Sequence, residues 1–158
     1  MAVANALLAH AWGEGESVTP MKLQKLLYFA HGWYLGLYGK PLVNEEPQAW
    51  QYGPVFESAY QEFKHYQAGP ITKLATSLNE QLDFEPILLS HEEADQIRPI
   101  VERIWDVYGA FTGPQLSAMT HRPGTPWDLA IRKDPARPGA RIGDDLSKAF
   151  FAELIANR

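Results

Sequence analysis

The sequence predicts a mainly α protein: one compact domain over residues 1–158, a bundle of about five to six helices with at most a small β element. Apolar residues recur at the helical period, and Ser, Thr, Pro and Gly residues bracket most of these runs at positions suited to helix ends. The composition agrees, with 46% apolar and 21% charged residues in a chain of 158, as in an ordinary globular domain.

The first helix is expected at about Val3 to Trp12, stopped by Gly13 and Gly15. Thr19 then reads as an N-cap and Pro20 as the first helical residue, where a missing N–H costs nothing. This second helix should run to about Tyr38 and end at Gly39-Lys40-Pro41. Leu23, Leu26, Leu27, Ala30, Trp33, Tyr34, Leu37 and Tyr38 fill one stripe, while Tyr28, Leu35 and Gly32 lie roughly opposite. A helix so apolar around its circumference is either central to the fold or faces a partner. Gly32 and Gly36, four apart, allow another backbone to come close.

After a loop from Lys40 to Pro47, Gln48 to Tyr52 reads as extended. Gly53-Pro54 should turn it into a helix with Pro54 in first position and Val55, Phe56, Ala59, Tyr60, Phe63 and Tyr66 inward, ended by Gly69-Pro70. Leu82 to Pro86 is either a short strand paired with the Trp50 segment or a loop. Ser90/Glu93 forms a capping box for a helix ending at Gly109, which Pro99 should kink or break in its first half. Thr112/Gln115 forms another box, for a helix through about His121. A brief turn at Trp127–Ile131, a Pro- and Arg-rich stretch from Arg132 to Arg141, and a last helix from Leu146 to Ala156, capped by Asp144 or Asp145, complete the chain.

The chain has no Cys, which removes disulfides, thiolate metal sites and Cys nucleophiles, and fits a reducing compartment. The longest near-apolar stretch, Leu26 to Leu37, is 12 residues, short of the roughly 20 a membrane span needs, and no leader is visible. A cytoplasmic location is expected. Fourteen basic against 19 acidic residues argue against nucleic acid as a partner. Phosphate-binding loops, GxSxG and HExxH are absent, and the five His residues are scattered, so neither a metal nor a cofactor is expected. Ser117, Thr120 and His121 lie close enough for hydroxyl activation, or simply for a surface pair and a helix cap. The segment 122–141 carries five basic and two acidic residues, making a basic loop on an acidic body.

Aromatic placement is the least ordinary feature. Residues 28–66 hold eleven of the nineteen aromatics, among them six of the seven Tyr. Helical spacing assigns Trp33, Phe56, Tyr60 and Phe63 to the core. Tyr and Trp suit half-wet positions and binding hot spots, which leaves Tyr28, Trp50 and Tyr52 as candidates for a surface.

Met21-Lys-Leu-Gln-Lys-Leu-Leu-Tyr-Phe29, His31-Gly-Trp-Tyr-Leu35, Gly39-Lys-Pro-Leu42, Trp50-Gln-Tyr-Gly-Pro-Val55, Leu116-Ser-Ala-Met-Thr-His121 and Pro126-Trp127 together resemble the Panacea domain of SocA-like and GepA-like phage-associated antitoxins. The resemblance implies a helical, non-enzymatic antitoxin that binds a cognate toxin encoded by a neighbouring gene. In one family branch it implies a proteolytic adaptor delivering the toxin to a AAA+ protease such as ClpXP. Some relatives carry an added DNA-binding domain, for which a motif starting at Met21 leaves no room. Within the motifs, Lys22, Lys25, Tyr28, Trp50, Tyr52 and Glu57 are expected to be exposed and to touch the partner. For docking a protease, the secondary candidates are the loop with Arg132, Arg137 and Arg141 or the C-terminal helix.

Overall fold

The computed structural model describes residues 1–133, 135 and 139–157. Its elements are α1 (Ala2–Gly13), α2 (Pro20–Tyr38), β1 (Gln48–Trp50), β2 (Gly53–Val55), α3 (Glu57–Phe63), β3 (Thr76–Leu78), β4 (Phe84–Pro86), α4 (His91–Tyr108), α5 (Gly113–Thr120), α6 (Pro126–Lys133) and α7 (Asp144–Ala156). The protein is mainly α, as its sequence predicts: the described residues form seven helices and two small antiparallel ribbons, β1–β2 and β3–β4.

α2 begins and ends as its residues dictate. The Thr19 hydroxyl accepts from the Lys22 N–H, Pro20 opens the first turn, and Gly39 closes the helix at a left-handed φ of 70°. Both capping boxes also form, at Ser90/Glu93 and Thr112/Gln115. Leu23, Leu26, Leu27 and Ala30 are buried, and α2 packs against α1, α4, α5 and α7. It is the central helix.

α7 covers the second apolar side of α2. A Cβ at Gly32 would sit 2.1 Å from the Phe151 ring, and one at Gly36 would sit 2.9 Å from the Phe151 backbone. The two glycines therefore admit α7 at close range. Buried His31 fastens the same pair of helices: Nδ1 accepts from the Val43 N–H at 3.2 Å, and Nε2 donates to Asp144 at 3.0 Å. That geometry fixes the neutral tautomer with its proton on Nε2. Burial holds the ring's pKa below the usual histidine value, against the opposing pull of Asp144.

The structure departs from the sequence expectations at several elements, among them the start of α7, where Gly143 and not Asp144 or Asp145 is the N-cap. Pro54 is not a helix start: Gly53, at φ 100°, folds the chain back so that Gly53-Pro54-Val55 pairs with Gln48-Ala49-Trp50, and α3 starts at Glu57. The Leu82–Pro86 region does pair, but with Thr76–Leu78 and not with the Trp50 segment. Of the kink or break expected at Pro99, the break does not occur, and α4 is continuous through it. The proline lies on its exposed side, where the carbonyl at exposed Asp95 can face solvent in place of the lost helical bond. The Trp127–Ile131 turn is a full helix, α6.

Candidate partner-binding site

The chain between Trp50 and Phe56 is held by side chains from three helices, each taking an alternate backbone carbonyl. Trp127 of α6 donates to the Trp50 carbonyl at 2.9 Å, and Ser117 of α5 to the Tyr52 carbonyl at 2.8 Å. From α2, Lys25 donates to the Pro54 carbonyl at 2.9 Å. Gln24 takes both backbone groups of Phe56, accepting from its N–H at 2.9 Å and donating to its carbonyl at 3.1 Å. These bonds are largely buried, and leaving such groups unpaired costs about 1–3 kcal/mol each. The 50–56 corner is thus a fixed platform. Gly53 is required there twice over, by its positive φ and because a Cβ would meet the Thr120 hydroxyl at 2.6 Å.

The platform presents aromatic side chains outward. Trp50, half-buried, meets Tyr60 edge-on at a centroid distance of 4.7 Å, and its indole N–H donates to Gln48 at 2.8 Å. Tyr52 is 62% exposed. Together with Pro20, Met21, Gln24, Lys25, Val55 and Lys64, these residues wall a largely apolar cleft of about 520 Å³, within the size range of specific recognition sites.

Of the sequence-predicted site residues, Lys25, Trp50 and Tyr52 meet at this cleft; Lys22, Tyr28 and Glu57 do not. Two that were expected to be exposed are instead fully buried. Lys25 is 1% exposed and Tyr28 2%. The reason for Tyr28 is α7, whose Phe151 packs edge-on against it at 6.1 Å. Burial raises the pKa of its hydroxyl, which has no hydrogen-bond partner among the described residues. Lys25 is buried with its amino group bonded to the Pro54 carbonyl, and burial, which disfavours the charged form, lowers its pKa to about 7. Lys22 is half-buried elsewhere, donating to the Gly109 carbonyl at 2.6 Å with its ammonium 5.0 Å from the Trp105 ring centroid. Exposed Glu57 accepts from Gln48 and lines a separate polar cleft with Glu45, Glu46, Asp144 and Arg141. Arg132 pairs with Asp128 at 2.8 Å and Arg141 lies 3.8 Å from Glu46; Arg137 lies outside the described residues. Tyr60, assigned to the core from its spacing, is instead exposed and lines the cleft.

The hydroxyls beside His121 serve the backbone. Ser117 donates to Tyr52 and Thr120 to the Ser117 carbonyl at 2.7 Å, while the His121 ring stands edge-on to Trp127 at 3.9 Å. Burial holds the His121 pKa below its usual value. Among the described residues, no group of three His, Asp or Glu side chains is placed to hold a metal ion, and no helix is long and apolar enough to cross a membrane.

Residues 23–128, which contain most of the central helix and the whole aromatic platform, match the family described as "Antitoxin SocA-like, Panacea domain". The chain is 36% identical over 154 residues to a protein named Antitoxin SocA from Caulobacter vibrioides, an alignment covering 95% of this chain and 80% of that one. No solved structure matches. The chain belongs to the SocA-like, Panacea-domain antitoxin family.

Proposed function

We propose that this protein is an antitoxin that neutralises a cognate toxin by direct binding at the Trp50–Tyr52–Tyr60 cleft. The observation that supports this reading best is the exposure of Tyr52 on a corner otherwise locked at every second carbonyl. A rigid aromatic anchor loses little conformational freedom on binding, and such anchors dominate interface energies. Lys25 acts from beneath as the support of the platform, and Lys22 and Glu57 lie outside the central contact. The protein acts by binding in the cytoplasm, without a chemical step of its own.

The test is rescue of cells expressing the toxin encoded by the neighbouring gene. Trp50→Ala with Tyr52→Ala, shown by circular dichroism to keep its helicity, is expected to abolish rescue, with Trp50 alone costing about 2 kcal/mol of affinity or more. Undiminished rescue would remove this surface. The toxin's lifetime then separates occlusion from delivery to a AAA+ protease. Occlusion leaves it unchanged or longer, and delivery shortens it.

A further inference from the structure

The β3–β4 ribbon is built as a presented surface, and nothing in the cleft reading uses it. Its base is fixed by Asn5 of α1, a buried side chain that donates to the carbonyls of Ala75 and Ile87 at 2.9 and 2.8 Å and accepts from the Ala75 N–H at 2.9 Å. Its turn is fixed by Asn79, which accepts from the N–H groups of Gln81 and Asp83 at 2.9 and 2.8 Å and donates to Glu85 at 2.8 Å. Between these two clamps every residue of both strands is exposed. Isolated two-stranded ribbons are marginal in water, so the clamps hold in the open a structure that would not otherwise persist there.

What it displays is apolar. Leu78 and Phe84 stand directly opposite in the register and so share one face, while Ser77 and Glu85 share the other. Phe84 is 74% exposed and Leu82, at the turn, 76%; Leu88 is exposed just beyond β4. Leu82 also adopts a φ of 64°, a left-handed conformation that glycine takes freely and a leucine does not. A leucine held there, its side chain in solvent, gains nothing from the interior of this chain.

The surroundings are acidic. Residues 76–86 carry exposed Glu80, Asp83 and Glu85 and no basic side chain, a local charge of −3. A second copy of this chain would bring two such segments together, which like-charge repulsion opposes. We propose that the β3–β4 ribbon is a second docking surface, which takes a protein segment of mixed apolar and basic side chains against Leu78, Leu82 and Phe84.

The test uses the full chain, isotope-labelled, titrated with a synthetic peptide of alternating lysine and valine and with its glutamate–valine counterpart. The lysine peptide is expected to shift the amides of β3 and β4 saturably, more weakly as salt rises. Leu78→Ser with Phe84→Ser should weaken it by about tenfold or more. Leu82→Gly should keep or raise the melting temperature, because it relieves the left-handed leucine, and still weaken the peptide. Any of four results would overturn the proposal: no saturable shifts in the ribbon, equal binding of the glutamate peptide, unchanged affinity in both variants, or dimerisation of the chain through this ribbon.

Discussion

Gly32→Ala is expected to destabilise the protein by about 2 kcal/mol or more, although alanine is the better helix former. The new Cβ would sit 2.1, 2.5 and 2.6 Å from three atoms of the Phe151 ring. That ring has no room to retreat: Trp33 meets it edge-on at 5.2 Å, Phe150 at 5.3 Å and Tyr28 at 6.1 Å. Overpacking a filled core costs about 1–3 kcal/mol and sometimes more, against a gain of about 1 kcal/mol in helix propensity. Here the clash involves a whole ring edge, so it wins. In a chain of this size the loss corresponds to roughly 4–8 °C in thermal midpoint. Gly13→Ala is the control, because nothing lies within 4 Å of its Cβ position. Phe151→Leu should relieve the clash, so the double variant with Gly32→Ala should be more stable than the sum of the two single effects. A stabilising Gly32→Ala would contradict the close approach of α7.

Lys25 should make the protein more stable as pH rises from 7 to 9. Its pKa lies near 7 in the folded chain and near its ordinary 10.5 when unfolded. Between those values the unfolded chain binds one more proton than the folded one, so stability rises with pH across that window. The gain between pH 7 and 9 is about 2 kcal/mol. Lys25→Met removes the titrating group and orphans the Pro54 carbonyl. The variant should therefore fall behind the wild type by a margin that widens with pH, read by denaturant unfolding at each pH. A margin that stays constant would mean that Lys25 is not buried as described.

Local signals in the sequence were legible because their partners are local. Thr19, Pro20 and Gly39 bound α2, and Ser90 with Glu93 and Thr112 with Gln115 make their boxes, all within a few residues. Gly32 and Gly36 also announced a close neighbour, though not that it would be α7. The misses are tertiary. Lys25 is polar on a helix and so is expected to be exposed, yet its partner is a carbonyl more than twenty positions away, at Pro54. Tyr28 read as off-stripe because a single-face view of α2 has no place for α7. The three-residue strands of β1–β2 and β3–β4 are too short to show alternation, so Pro54 looked like a helix start. At the candidate site the sequence identified Trp50 and Tyr52. Tyr60 was hidden by its helical spacing, which fits a core residue and a cleft residue equally.

The most direct measurement of cleft binding is site-specific photocrosslinking to the purified cognate toxin. A photoreactive phenylalanine analogue replaces Tyr52 in one protein and Tyr38, also exposed and on α2, in another. Covalent capture of the toxin from position 52, lost when unlabelled wild-type protein competes and not matched from position 38, is the expected result. Toxin bound stably to both proteins, with capture from position 38 and none from position 52, would contradict it.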